Sequence, residues 1–413
     1  MKKVKIALLG LGNVGKGVLS IIRENKEQIV KRSGYEVEIA KILVRDVKKD
    51  RGVEVPTEIL TTSYEEILND NEIKIVVEVM GGIEPAKEYI IRAMEAKKQI
   101  VTANKMLLAT CGDEVFEKAD EMGVSFQYEA SVAGGIPIIN GISQSLTANK
   151  INTLYGIING TTNYILSKME LENLNFEDVL KEAQDKGYAE RNPEADVEGH
   201  DACRKIAILT SLISGQHVDF EKIHTEGITK ITTEDMKYAK KLNMAIKLLA
   251  SSKRVGDTFS VLVAPMLLSE EHPLCNVNDV FNAVFVRGNM LGDAMFYGSG
   301  AGKLPTASAV VADVVDEARH LNRSIMAFWS SKKLELTDIS NSSRKFFVRV
   351  KGTPETELAK VQEVFGNVQP VVVADVDGEF GFVTEEMTEA EYKAKAENFG
   401  EVLGMIRVRR VED

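Results

Sequence analysis

Between Lys186 and Lys205 the chain reads KGYAERNPEADVEGHDACRK, which sets Glu190, Asp196, Asp201 and Lys205 within sixteen residues. Asp201 and Lys205 stand four apart in a segment, roughly 196–214, whose apolar residues Ala202, Ile206, Ile208, Leu209, Leu212 and Ile213 recur at helical spacing. On a solvated helix such a pair contributes only about 0.3–0.5 kcal/mol. On a face turned into the interior, the ammonium must keep partners or lose its proton. Three carboxylates are more than one ammonium needs. The surplus points to a polar ligand carrying its own ammonium and to a lysine able to pass a proton; spacing alone leaves this open beside a solvated salt bridge at a helix start.

A second set of chemistry-bearing residues opens the chain. An apolar run over 3–9 stops at Gly10-Leu11-Gly12-Asn13-Val14-Gly15, and a helix is expected from Val14 to about Val30. In a strand–GxGxxG–helix context the first glycine makes the turn, the second admits a pyrophosphate and the third lets helix and strand pack. The helix N-terminus then faces the phosphates. The second strand, 36–44, ends at Arg45, which suits a 2′-phosphate and favours NADP(H), with NAD(H) the alternative. Further on, KIVVEVM (74–80) leads to Gly81-Gly82, a helix starts at Pro85, and the strand QIVTA (99–103) is followed directly by Asn104 and Lys105. Ligands of open parallel sheets bind outside the carboxyl ends of the strands, so Lys105 stands where a nicotinamide and a substrate would meet.

These residues need elements to position them. At 413 residues and 44% hydrophobic content the chain has material for two to three ordinary domains. A formal charge of −11 without a long basic run argues against nucleic acid or an anionic membrane as the main partner. Cys111, Cys203 and Cys275 are far apart and the five histidines show no metal-ligand spacing, so neither a disulfide framework nor zinc is indicated and a reducing cytoplasm fits. The opening residues read as a strand rather than a signal peptide, and no apolar run approaches the ~20 residues of a membrane span.

Beyond the strand at 124–130 and the turn SVAGGIP (131–137), βα alternation ceases. A helix at 138–146, a strand at 151–158, a loop at Asn159-Gly160-Thr161-Thr162, two helices and several strands between 243 and 297 predict an α+β unit with a largely antiparallel sheet. The expected division is an α/β Rossmann-type domain over 1–137, completed by a returning helix over 305–340; a substrate-binding, catalytic and dimerisation domain over 138–304; and a tail over 345–413. The tail's βαββαβ order is ferredoxin-like.

Seven stretches resemble the homoserine dehydrogenase family: GLGNVGKGV (10–18), VTANK (101–105), EASVAGGIP (129–137), GIINGTTNYIL (156–166), GYAERNPEADVEGHDACRK (187–205), HPLCNVNDVFNAVFV (272–286) and GSGAGKLPTASAVVADVVD (298–316). The resemblance covers Lys3 to about Leu321. It implies reversible NAD(P)H-dependent reduction of L-aspartate 4-semialdehyde to L-homoserine, on the way to threonine and methionine. Carried over by position, Lys205 is the proton donor and Lys105 a second lysine near nicotinamide and substrate. Glu190, Asp196 and Asp201 hold the amino acid, with Gly160, Thr161, Gly187 and Tyr188 lining the pocket. Gly187 and Gly302 also reach the cofactor. The family further binds a monovalent cation, sodium or potassium, through backbone carbonyls that map to Glu129, Val132, Gly134 and Ile136. It also implies a homodimer, extended to a tetramer if the C-terminal domain associates. The tail resembles an ACT domain, often a threonine sensor. Its first turn, Lys351-Gly352-Thr353-Pro354-Glu355, departs from the usual Asp-x-x-Gly, which leaves a purely associative tail as the alternative.

Other designs fit less well. Tyr164 and Lys168 match the Tyr-x-x-x-Lys of short-chain reductases, but the accompanying G-x-x-x-G-x-G is missing. A 2-hydroxyacid enzyme would want a catalytic histidine, and His200, the nearest, falls on the polar side of its helix. A nucleotide- and amino-acid-sensing regulator has no need of a Lys/Asp/Glu cleft.

Overall fold

The first strand, β1 (Lys2–Leu9), is buried at every side chain from Ile6 onward, as a parallel strand covered on both faces must be. The computed structural model to which it belongs describes residues 2–321, 323 and 329–409. Two units gather: Met1–Lys150 with Ala207–Glu221 and Gly298–Leu334, and Ile151–Ile206 with Lys222–Tyr297 and Glu335–Asp413.

In the first unit β1 is joined by β2 (Tyr35–Leu43), β3 (Leu60–Thr61), β4 (Ile73–Glu78), β5 (Gln99–Thr102) and β6 (Phe126–Gln127) in a wholly parallel sheet of order β3-β2-β1-β4-β5-β6. This is the strand order of dinucleotide-binding folds. Helix α1 (Asn13–Glu24) buries Gly15, Val18, Leu19 and Ile22, a single stripe at helical spacing. It is shorter than the expected 14–30: Asn25, at φ −103° and ψ 18°, breaks the run before a second helix, Lys26–Ser33.

The helix Lys303–Arg319 lies so close to α1 that a Cβ on Gly17 would stand 2.6 Å from the Lys303 carbonyl oxygen and 2.7 Å from the Ala307 Cβ. It ends at Arg319, so the expectation of a helix over 305–340 is corrected. Of that span, 322 and 324–328 lie outside the described residues, and Ser330–Lys333 forms a strand beside Gln216–His217.

Among the described residues the second unit is built on an eleven-stranded sheet. The hairpin Met244–Val255/Thr258–Ser269 is antiparallel along its whole length, and β7 (Ile151–Ile157) pairs antiparallel with Met244–Val255 on one side and Phe281–Gly288 on the other. Beyond Thr258–Ser269 the sheet continues through Val402–Arg409, Ser343–Lys351, Glu379–Val383 and Pro370–Val371. With the helices Pro354–Phe365 and Glu389–Phe399 these strands complete a βαββαβ run, whose aromatic core includes Phe346, Phe365, Phe380 and Phe382.

Three expected elements differ in detail. The helix expected over 196–214 is two, Glu194–Val197 and His200–Ser214, separated at Gly199, which adopts φ +81°. The expected loop at 159–162 is the start of the helix Gly160–Glu172. The segment 138–146 is one short helical turn, Ile138–Asn140, widening into a π-type turn over Gly141–Ser145.

Candidate active site

Strand β7 delivers Ile158 and Asn159 to the foot of the His200–Ser214 helix. There the Lys205 Nζ donates to the Ile158 carbonyl at 2.7 Å and stands 2.6 Å from Asp201 Oδ2. Asn159 caps the helix Gly160–Glu172, its Oδ1 accepting from the Thr162 amide at 2.9 Å. Its Nδ2 donates to Asp196 Oδ1 at 2.7 Å and to Asp201 Oδ2 at 3.0 Å. Lys205, Asp201 and Asn159 are 8%, 4% and 5% exposed, which excludes the solvated salt bridge that spacing alone allowed. A charge pair this far from water persists only where further hydrogen bonds support it, and the amide and the carbonyl supply them. Gly199 lets the short helix turn Asp196 back toward the pair; a Cβ there would meet Thr225 Cγ2 at 3.1 Å.

Around this cluster Thr161 Oγ1 donates to the Tyr188 carbonyl at 2.8 Å, after Gly187 has turned the chain at φ +75°. Tyr188 is 44% exposed and packs edge-on against Tyr164. Tyr164 Oη donates to Glu182 at 2.7 Å and accepts from Lys186 at 2.9 Å, so the Tyr164–Lys168 match is absorbed into packing. Gly160 passes so near Val280 that a Cβ would lie 2.8 Å from its carbonyl oxygen. Asp196, Asp201 and Lys205 are thus drawn together, and Thr161 is drawn to Tyr188. Glu190 is not among them: its side chain is exposed, and among the described residues only its backbone carbonyl is engaged, by Gln184 at 3.0 Å.

In the first unit, Gly10 turns at φ +105° and Gly15 packs onto the Gly10 carbonyl, while a Cβ on Gly12 would meet nothing within 4 Å. That open approach, at the positive end of α1 with no acidic residue in its first turn, fits a pyrophosphate leading to Asn13 and Val14. Arg45 is exposed just past β2, and the neighbouring Asp46 uses its carboxylate to accept from the Lys48 amide at 2.8 Å. Glu78, fully buried at the end of β4, accepts from Met80 at 2.7 Å, Gly81 at 3.0 Å and Thr102 at 2.6 Å. Asn104 caps the helix Lys105–Met122 and donates to the Gly82 carbonyl at 2.6 Å, which fixes half-buried Lys105 at the first helical position. Gly302, at φ +117°, precedes the helix Lys303–Arg319.

Ala133 and Gly134, at φ +55° and +52°, fold the turn after β6 so tightly that a Cβ on Gly134 would lie 2.5 Å from the Gly300 carbonyl oxygen. Among the described residues the buried Val132 and Gly134 carbonyls accept no hydrogen bond, whereas those of Glu129 and Ile136 accept from Val132 and Ile138. Neutral oxygens with unused lone pairs fit a hard monovalent cation. The Glu129 carboxylate accepts from the Ile139 and Asn140 amides, and its own amide donates to Asp313 at 2.8 Å. Burial pushes the Glu129 carboxyl up to about 7 despite those bonds. Burial, then the charge of Glu129, holds Asp313 well above the ordinary carboxylate range.

Sequence reasoning missed Asn159, Glu78, Asn104 and Asp313 as site-builders. Only Asn159 and Asn104 carried a usable signal, an Asn directly before a helix.

Comparison with known proteins gives the family. Residues 10–129 match the family model described as homoserine dehydrogenase, NAD binding domain, and residues 137–315 match that of homoserine dehydrogenase. Homoserine dehydrogenase of Bacillus subtilis (strain 168) is 45% identical over 325 residues, covering 79% of this chain and 75% of that one. The chain belongs to the homoserine dehydrogenase family. It is therefore an oxidoreductase acting on a CH–OH group with an NAD(P) cofactor, and the regulator alternative falls away. The crystal structure of a homoserine dehydrogenase from Thiobacillus denitrificans matches at a TM-score of 0.92 and 37% identity, over 99% of each chain. A hyperthermophilic archaeal homoserine dehydrogenase in complex with NADPH matches at 0.64 and 28% identity, over 76% of this chain and 97% of that one.

Proposed function

We propose that Lys205 is the proton donor in the reversible reduction of L-aspartate 4-semialdehyde to L-homoserine. The observation that carries this is the buried Lys205 ammonium, fixed between Asp201 and the Ile158 carbonyl. When bound, the reduced nicotinamide supplies a hydride to the carbonyl carbon. As negative charge grows on the substrate oxygen, Lys205 stabilises it and then neutralises it by giving up a proton. Asp201 orients the ammonium and balances its charge. Asp196, with Glu190 from the rim, answers the substrate's own ammonium, and Gly160, Thr161, Gly187 and Tyr188 shape the pocket wall. Lys105 serves as the second lysine on the cofactor side.

The cofactor pyrophosphate is assigned to Gly10, Gly12, Asn13, Val14 and Gly15, with Gly81, Lys105, Gly187 and Gly302 as further contacts. Arg45 favours NADP(H), a preference supported by the engagement of the neighbouring Asp46 carboxylate in its own turn. The Glu129, Val132, Gly134 and Ile136 carbonyls would hold a sodium or potassium ion. For residues 345–413 an ACT-like role is supported by the strand and helix order, with threonine as the candidate effector. A cytoplasmic homodimer through the sheet of the second unit, with a tetramer if the C-terminal domain associates, completes the assignment.

The test is Lys205→Ala. Turnover should fall about 10²–10⁴-fold, the range of positioned acid catalysis, while the dissociation constant for NADPH by fluorescence titration stays within about twofold. Wild-type turnover in that variant would remove Lys205 from the mechanism. NADH and NADPH run in parallel decide the cofactor preference.

A further inference from the structure

Three strand ends in the second unit carry a concentration of positive charge that the reaction does not use. Lys253 and Arg254 close the strand Met244–Val255, Arg344 and Lys345 open Ser343–Lys351, and Arg409 closes Val402–Arg409. Together they line a cavity of about 440 Å³ whose one lining carboxylate among the described residues is Glu386. Its floor is apolar and buried, formed by Leu262, Met266 and Val408. Hydroxyls of Ser260 and Ser342, 3.1 Å apart, stand on its wall.

The three guanidiniums are held rather than waving in solvent. The Arg409 guanidinium lies 3.6 Å from the centre of the Tyr155 ring, and that of Arg254 4.3 Å from the Phe259 ring. Arg344 pairs with Glu389 at 3.1 Å, yet burial and then the nearby Arg407 and Arg409 still act against its charge. Lys253 and Lys345 form no ion pair among the described residues. Like charges converging on a partly enclosed volume repel one another, and an anion in that volume removes the cost. The whole chain is acidic, at −11, so the excess is local to this cavity.

We propose that this cavity is a binding site for a small multivalent oxyanion, such as a phosphate or polycarboxylate group. The lysines and arginines supply charge, the serine hydroxyls supply hydrogen bonds, and the apolar floor takes the carbon skeleton of an organic ligand. Its lining shares no residue with the Lys205 cluster or with the Gly12 turn.

The experiment uses the full-length enzyme with saturating NADPH, so that the pyrophosphate turn is already filled. Inorganic phosphate and citrate are titrated against sodium chloride at matched ionic strength, by thermal shift and by calorimetry. A saturable rise in Tm of about 3–6 °C at high occupancy is expected for phosphate, citrate or both, and none for chloride. In Lys253→Gln/Lys345→Gln, whose lysines make no ion pair to lose, the dissociation constant should weaken by about tenfold or more. No saturable binding by the wild type overturns the proposal. So does an unchanged dissociation constant in the double variant, which would place the anion elsewhere.

Discussion

One side-chain amide holds the acidic half of the Lys205 cluster together. Asn159 Nδ2 donates to both Asp196 and Asp201, whose carboxylates would otherwise repel across the gap, while its Oδ1 caps the helix Gly160–Glu172. The two jobs are separable, because Ser is a good N-cap but has no amide to share. Asn159→Ser should therefore lower kcat/KM by about 10–10²-fold, the worth of hydrogen bonds to charged groups, with little change in the urea midpoint. Asn159→Ala should lose the same activity and a further ~1 kcal/mol of stability from the cap. Wild-type kcat/KM in the serine variant would show that Asn159 only caps. The pairing of Asp201 with Lys205 was legible because charged residues fell at helical spacing on an apolar stripe. For Asn159 only the cap was signalled; its reach to Asp201 spans forty-two residues of chain, and no local period links them.

The helix Lys303–Arg319 shows the same split at the scale of an element. Its apolar stripe, Ala307, Val310, Val311, Val314 and Ala318, is readable as an inward face, but Asp313 and Glu317 share that face and are fully buried. Periodicity identifies a stripe without saying which charged residues travel inside with it. Burial, followed by the charges of Asp313 and Asp316, pushes the Glu317 carboxyl up to about 9 against a weaker opposing contact with Ser125. Between its ordinary value of 4.5 and about 9 the folded chain keeps a proton that the unfolded chain releases. Stability from this group accordingly falls as pH rises through that window, by up to about 1.4 kcal/mol per pH unit, and is level outside it. Glu317→Gln removes the penalty. Urea unfolding should find the variant more stable than wild type by about 1–3 kcal/mol at pH 8 and nearly equal at pH 4.5. A difference independent of pH would contradict a buried, protonated Glu317. Helix ends were less legible than helix faces: the break at Gly199 depends on how near Thr225 comes, a contact between segments the local pattern does not connect.

Across the whole molecule, the order of elements was readable in both units, but the joining of the C-terminal module to the catalytic sheet was not. Strand Val402–Arg409 pairs in parallel with Thr258–Ser269, through Met266 opposite Arg407 and Leu268 opposite Arg409, so the βαββαβ run extends the sheet instead of hanging from a linker. Partners this distant in sequence are chosen by edge geometry, which leaves no periodic trace. The seam is locked by Arg407, 3% exposed, which forms paired hydrogen bonds to Glu226 at 2.7 and 2.8 Å and to Glu389 at 2.6 and 3.0 Å. Although burial works the other way, His224 and Arg407 hold the Glu226 carboxyl down to about 2. The stability this provides is present above the ordinary value of 4.5 and is lost as pH falls toward about 2. Arg407→Met keeps the apolar stem but leaves Glu389 only its pair with Arg344, so it should cost about 2–3 kcal/mol, at or below the lower end for breaking a buried pair because Glu389 keeps that partner and Glu226 is partly exposed. If the module and the catalytic sheet unfold as one, the loss appears as a lower midpoint of a single transition, with circular dichroism and aspartate-semialdehyde reductase activity disappearing together. A variant in which a low-melting fraction of the helical signal separates while activity keeps its wild-type midpoint would show instead that the seam is only a contact between independent folds.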